Sequence, residues 1–219
     1  MTFVVALKGR LEKIDGVVIT SDTQVSSNVK SPMKKVFRAE TFPFIVGGAG
    51  SASLSRYVRR GLFQLFKEYH ERMQGDLSCE YFDEFVYSNA KPYLSEIVLN
   101  HQDIIENGHL QLIMSFSDKT HVRLFEVQDD GIPMRMDDDP GYCCIGSGFV
   151  TGGNLLLKQF YSSDQNLVQL TQLASFLIYQ VADVDPYVGG AIQSQFWWEN
   201  AEPHRKSRFE RCKIKIRDY

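Results

Sequence analysis

TFVVALKGRLEKIDGVVITSD, residues 2–22, holds two short apolar runs, Val4–Leu7 and Val17–Thr20, on either side of a polar, glycine-containing segment from Gly9 to Gly16. Runs of this length bounded by turn residues read as strands, and two of them this close in the chain read as an antiparallel β-hairpin. The pairing has a chemical corollary: it returns Asp22, at the end of the second run, to the neighbourhood of Thr2, at the start of the first.

Working outward, a polar stretch with Ser26, Ser27, Ser31 and Pro32 leads to two more short strands, Val36–Ala39 and Phe42–Val46, which end in a glycine-rich turn, Gly47-Gly48-Ala49-Gly50. From Ser51 to about Gln74 the spacing becomes helical, with Leu54, Tyr57, Val58, Leu62, Leu65, Tyr69 and Met73 on one broad face. A second helical stretch runs from about Glu80 to Asn100, with Pro92 as a kink or break. Strands follow at Leu110–Phe116, Val122–Val127 and Tyr142–Ile145, helices near Thr151–Phe160 and Leu167–Val181, and final strands at Gly190–Trp197 and Cys212–Ile216. Strands, two helices, strands, two helices, strands: this order calls for mainly antiparallel sheets packed face to face with helices outside. The expected fold is therefore α+β, a four-layer αββα sandwich, in one domain spanning residues 1–219.

Composition narrows the function classes. A net charge of −3 and a pI near 6.0 offer no general attraction to nucleic acid or to anionic membrane surfaces. Thr2–Leu7 is too short for a signal-peptide core, and no apolar run approaches the roughly 20 residues of a membrane span, so a cytoplasmic location is expected. The cysteines, Cys79, Cys143, Cys144 and Cys212, lack the paired short spacings of a zinc site, and the histidines are scattered, so no metal is expected.

Thr2 is the most informative position. Its small side chain permits removal of Met1, which would leave a threonine with a free α-amine of pKa about 8, able to serve as base for its own hydroxyl. Asp22 can orient a partner, and Lys35 opens the third strand, where a lysine close to Thr2 and held by Asp22 would favour the deprotonated hydroxyl. Gly47, between strand and helix, is the candidate oxyanion donor, and Ser147 of Gly146-Ser147-Gly148 a candidate proton relay to the amine.

Thr2-Phe3-Val4-Val5-Ala6, Gly16-Val17-Val18-Ile19-Thr20-Ser21-Asp22, Lys34-Lys35-Val36, Ile45-Val46-Gly47-Gly48-Ala49-Gly50, Gly146-Ser147-Gly148 and Asp185-Pro186-Tyr187-Val188-Gly189-Gly190 together resemble the proteasome β-subunit family of N-terminal-nucleophile hydrolases. The spacing from lysine to glycines most resembles its bacterial HslV-type relatives. The resemblance implies a threonine-type endopeptidase with Thr2 as nucleophile and base, Asp22 holding Lys35, Gly47 in the oxyanion hole, and Ser147 and Asp185 near the amine. One position departs: Val188 stands where the family has serine, removing a hydrogen-bonding partner of the amine. The resemblance further implies a homo-oligomeric ring, a peptide or unfolded protein substrate, an ATP-dependent unfoldase as partner, and no cofactor. The same fold also serves a small-amide hydrolase, a peptide ligase or a non-catalytic ring scaffold.

Three further signals carry less. Ser31-Pro32-Met33-Lys34 has the spacing of a β-lactam enzyme motif without its companions, and Asp137-Asp138-Asp139 before Pro140 reads as a solvated turn. Trp197-Trp198 ends a strand with side chains on opposite faces, so at least one is a candidate for exposure.

Overall fold

A computed structural model describes residues 2–11, 14–25, 31–73, 77–118 and 120–197. The opening hairpin is β1 (Phe3–Leu11) and β2 (Ile14–Asp22), joined in register from Val4 opposite Ser21 to Leu11 opposite Ile14. A short ribbon, β3 (Gln24–Val25) with β4 (Ser31–Pro32), precedes β5 (Val36–Arg38) and β6 (Phe44–Gly50). Helix α1 (Ala52–Met73) is followed by α2 (Cys79–Phe85), a π turn at Val86–Ala90, α3 (Lys91–Asn100) and α4 (Gln102–Gly108). Pro92 follows just after the π turn, within a run whose backbone stays helical from α2 into α3. Then come β7 (Leu110–Ser117), β8 (Val122–Val127), β9 (Pro133–Arg135) and β10 (Tyr142–Gly146). A π turn at Phe149–Gly153 leads to α5 (Asn154–Phe160), α6 (Leu167–Ala182) and β11 (Ile192–Trp197).

Strand order is β10-β1-β2-β11 in one sheet and β5-β6-β7-β8-β9 in the other, with antiparallel pairing throughout. Side-chain alternation then builds three apolar layers. Val4, Ala6, Val17 and Ile19 of the first sheet meet Val36, Ile45, Ile113 and Leu124 of the second between the sheets. Phe3, Val5, Leu7 and Val18 turn the other way, onto Leu157 of α5 and Leu170, Ala174, Leu177 and Ile178 of α6. Phe44, Val46, Met114 and Phe116 cover the second sheet's outer face beneath Leu54, Val58, Leu62 and Phe66 of α1 and Phe82 and Phe85 of α2. Both faces of each sheet are covered, which is why the strands read as unbroken apolar runs. This is the α+β, αββα arrangement of two antiparallel sheets inside two helical layers.

Local chemistry sets the helix starts. Asn166 and Gln169 form a reciprocal capping box at α6, and the Ser78 hydroxyl accepts the Tyr81 N–H at α2.

Two expectations change. Gly47–Gly50 is not a turn but the second half of β6. Its glycines answer crowding on both faces: a Cβ on Gly47 would stand 2.9 Å from Val4 Cγ1, and one on Gly48 would stand 2.2 Å from Ser55 Oγ. Asp137 is not solvated either; it is buried, accepts the Leu124 N–H at 3.1 Å, and pairs with Arg135 at 3.0 Å and Arg123 at 3.6 Å, while Asp138 and Asp139 stay exposed. The strand anticipated at Cys212–Ile216 and the side chains of Trp197 and Trp198 lie outside the described residues.

Candidate active site

Antiparallel pairing of β1 with β2 sets Phe3 beside Asp22, so the chain start and the end of β2 share one corner of the first sheet. The Asp22 carboxylate, wholly buried, accepts the Phe3 N–H at 2.9 Å, the Gln24 N–H at 3.2 Å and the Gly189 N–H at 3.3 Å. It also accepts the Thr2 hydroxyl proton. Lys35 arrives from the other sheet, just before β5. Its Nζ lies 2.9 Å from each Asp22 carboxylate oxygen and 2.5 Å from the Gln24 carbonyl, and it donates to Thr2 Oγ1 as well.

A buried carboxylate is tolerable because an ammonium and backbone donors surround it. Burial pushes the Lys35 ammonium down from the usual lysine value of 10.5, against the opposing pull of Asp22's charge and hydrogen bonding. Thr2 Oγ1 therefore gives a hydrogen bond to an anion and takes one from a cation whose proton is loosened.

Thr2 and Lys35 line an open cleft of about 1540 Å³, together with Phe37, Gly48, Arg59 and Ser147, and Asp22 lies buried behind them.

The remaining expected residues are placed less uniformly. Ser147 Oγ donates to the Thr2 carbonyl at 3.4 Å. Asp185 is buried; its carboxylate accepts the Tyr187 N–H at 2.9 Å and the Thr151 hydroxyl at 3.3 Å, and that hydroxyl also lies 3.2 Å from the Ser147 carbonyl. Val188 belongs to the apolar cluster with Leu177 and Ile192, while the next residue, Gly189, supplies its N–H to Asp22.

Gly47 is the exception. Ser51 N–H bonds to His109 O, and Gly48 N–H bonds to Lys35 O at 3.1 Å. The β6–β7 register is unbroken, so strand alternation turns the Gly47 N–H toward Ile113 of β7. The N–H groups on the Lys35 side belong to Gly48 and Gly50, and these two glycines line the cleft where Gly47 does not.

Three contributors escape a reading by motif. Gln24 bonds to both Asp22 and Lys35, and its side chain reaches Pro186 O at 3.0 Å. Its position two residues after an aspartate at a strand end is an Asx-turn signal that pointed to it. Thr151 joins Asp185 to Ser147. Gln111 accepts the Gly146 N–H at 2.8 Å and donates to Gln128 at 2.7 Å, which in turn donates to Glu126, a carboxyl raised above its usual pKa by burial. No spacing in the sequence announces that chain of amides.

Among the described residues no group of His, Cys, Asp and Glu is placed to hold a metal ion, and no helix is long and apolar enough to cross a membrane.

Comparison with known proteins follows the same lines. The family model described as "Proteasome subunit" matches residues 3–195. Similar solved structures include Anbu (ancestral beta-subunit) from Yersinia bercovieri, at TM-score 0.69 and 18% identity, covering 90% of this chain and 82% of that one. A Gly-1 mutant of Anbu from Hyphomicrobium sp. strain MC1 gives TM-score 0.67 at 20% identity, covering 90% and 81%. Anbu from the same Hyphomicrobium strain gives 0.64 at 21%, covering 90% and 82%. No curated protein matches by sequence.

Proposed function

The chain belongs to the proteasome subunit family, and from that premise we propose that it is a threonine peptidase, in which Thr2, freed by removal of Met1, cleaves peptide bonds through an ester on its own hydroxyl. One arrangement carries the reading: Thr2 Oγ1 held between the Lys35 ammonium and the Asp22 carboxylate where Thr2 and Lys35 line a cleft.

In the proposed sequence Thr2 Oγ1 attacks the substrate carbonyl carbon while the Thr2 α-amine takes the hydroxyl proton. The Lys35 ammonium stabilises negative charge on Oγ1, and Asp22 holds that ammonium in place. Charge on the carbonyl oxygen is met by backbone N–H groups, for which strand direction favours Gly50 over Gly47, while the Gly48 N–H becomes a second donor only on leaving the Lys35 carbonyl it holds at 3.1 Å. The C–N bond breaks, and the departing amine takes the proton held by the Thr2 ammonium. Water next gives a proton to the same amine and its oxygen attacks the ester. The carboxylic acid leaves and Oγ1 recovers its proton. Ser147, Thr151 and Asp185 position the chain around the amine.

The substrate would be a peptide or unfolded protein. The description of one similar structure as an ancestral beta-subunit supports reading this chain as a subunit of a larger assembly; we propose a homo-oligomeric ring in the cytoplasm, supplied by an ATP-dependent unfoldase. A scaffold without activity rested on Val188. The loop that carries Val188 instead contributes the Gly189 N–H to Asp22, which favours a working site.

Turnover of fluorogenic peptide amides tests the proposal. Wild-type protein with a free Thr2 amine is expected to release the fluorophore and Thr2→Ala is not; equal rates would refute it. Adding a free amine nucleophile distinguishes hydrolysis from ligation by the product formed.

A further inference from the structure

The wall of the cleft beside Thr2 carries charge that the chemistry above does not use. Lys34 precedes Lys35, and Arg56, Arg59 and Arg60 lie near the start of α1; all four line the cleft with Thr2. Two of them, Lys34 and Arg59, share Phe37 as a neighbour. The Arg59 guanidinium carbon stands 3.2 Å from its ring centroid and the Lys34 ammonium 5.1 Å. Phe37 is two residues beyond Lys35, so the cluster begins within about 7 Å of the backbone that presents the reactive ammonium.

Elsewhere the protein matches its cations with anions. Lys8, Arg10, Arg123 and Arg135 each have a carboxylate at 2.8–3.3 Å. Among the described residues, Lys34, Arg56, Arg59 and Arg60 have none; Arg56 reaches only Met33 Sδ, at 3.7 Å. Burial and the charges of Arg56 and Arg60 together push Arg59 down to about 10. Cations crowded in this way are relieved when an anion enters. Of the cleft's three acids, Asp129 is occupied by His109 Nδ1 at 2.7 Å and the Leu110 N–H at 2.6 Å, Asp185 is buried and bonded to the Tyr187 N–H and the Thr151 hydroxyl, and Asp103 stands on α4.

We propose that this wall is a specificity surface, and that the peptides cut at Thr2 carry carboxylate side chains close to the scissile bond. The inference rests on Thr2 being the nucleophile. It adds the substrate class: acidic segments are drawn in and basic ones repelled.

The test compares three peptidyl epoxyketones that differ only in the side chain next to the electrophile, glutamate, leucine or lysine, scored by intact mass as rate of adduct formation. Several partly exposed ion pairs acting together predict glutamate over lysine by roughly tenfold or more. That ratio is expected to fall to within about twofold in the triple variant Arg56→Gln/Arg59→Gln/Arg60→Gln, and to fall partway in Lys34→Gln, which spares α1. Lysine labelling as fast as glutamate in the wild type would overturn the proposal while leaving Thr2 as nucleophile intact. Should no compound label, the catalytic reading fails, and anisotropy of fluorescein-tagged tetraglutamate and tetralysine decides the rest. Tighter binding of tetraglutamate that weakens in the triple variant supports an acid-selective wall; equal or absent binding overturns it.

Discussion

Two buried aspartates show how the proposed active site differs from a structural ion pair in this molecule. Asp22 and Asp137 are both almost completely removed from solvent and both are matched by cations. Around Asp137 the cations are guanidiniums, Arg135 at 3.0 Å and Arg123 at 3.6 Å, and both are held above the usual arginine pKa. The Asp137 hydrogen bonds to Arg135 are the largest influence there, and Asp83 pulls Arg123 the same way against burial. Neither guanidinium loses its proton near neutrality. At Asp22 the cation is a lysine pushed down by burial, and a hydroxyl sits between the two charges. A guanidinium fixes geometry, whereas a buried ammonium in contact with a hydroxyl sets chemistry.

The sharpest way to break the comparison is to remove the hydroxyl. Thr2→Ala is expected to lower peptidase turnover on the order of 10³-fold or more, since it deletes the nucleophile, whereas Asp137→Asn leaves turnover within about twofold because it touches no reacting group. Parallel assays of the two variants measure this.

Next in size is Lys35→Met. It leaves the Asp22 carboxylate buried without its cation, which costs on the order of 3–5 kcal/mol by urea unfolding, and activity is lost with it. Asp137→Asn is expected to cost about 1–3 kcal/mol, because Arg135 is partly exposed and recovers some solvation. Equal costs for the two would erase the distinction drawn here.

A smaller effect lies in the pH profile. Burial lowers the Lys35 pKa below 10.5, so the ammonium is lost at a lower pH than in an exposed lysine. Turnover is therefore present below that point and falls as pH rises through it. Lys35→Arg is expected to remove this alkaline limb at the expense of rate, since arginine stays charged throughout. A limb unchanged in the arginine variant would show that another group titrates. The smallest effect is that of Val188→Ser: a hydroxyl in the apolar cluster is expected to cost about 1–2 kcal/mol with turnover altered only a few-fold.

The layered fold was legible because each covered sheet face demands an apolar run, and residues 2–22 display two such runs around a turn. The hairpin alone joins Thr2 to Asp22, and Lys35 is marked both by its place at the start of the third strand and by the family resemblance. What sequence reading lost is long-range. Gly47–Gly50 read as a turn because nothing local reveals that Val4 and Ser55 press on the strand from either face. Asp137 read as solvated because Arg123, its second cation, lies on a neighbouring strand. Gln24 could have been found from its place after Asp22, but Thr151 and Gln111 act through residues 34 and 35 positions away, which no local pattern encodes.

The most direct test is intact-mass measurement before and after treatment with a peptidyl epoxyketone, an electrophile that engages the hydroxyl and the amine of a terminal threonine together. The account predicts a chain beginning at Thr2 and a single adduct on that residue, absent in Thr2→Ala and slowed in Lys35→Met. A folded chain with a free Thr2 amine that takes up no adduct, or one labelled equally in Thr2→Ala, would contradict it.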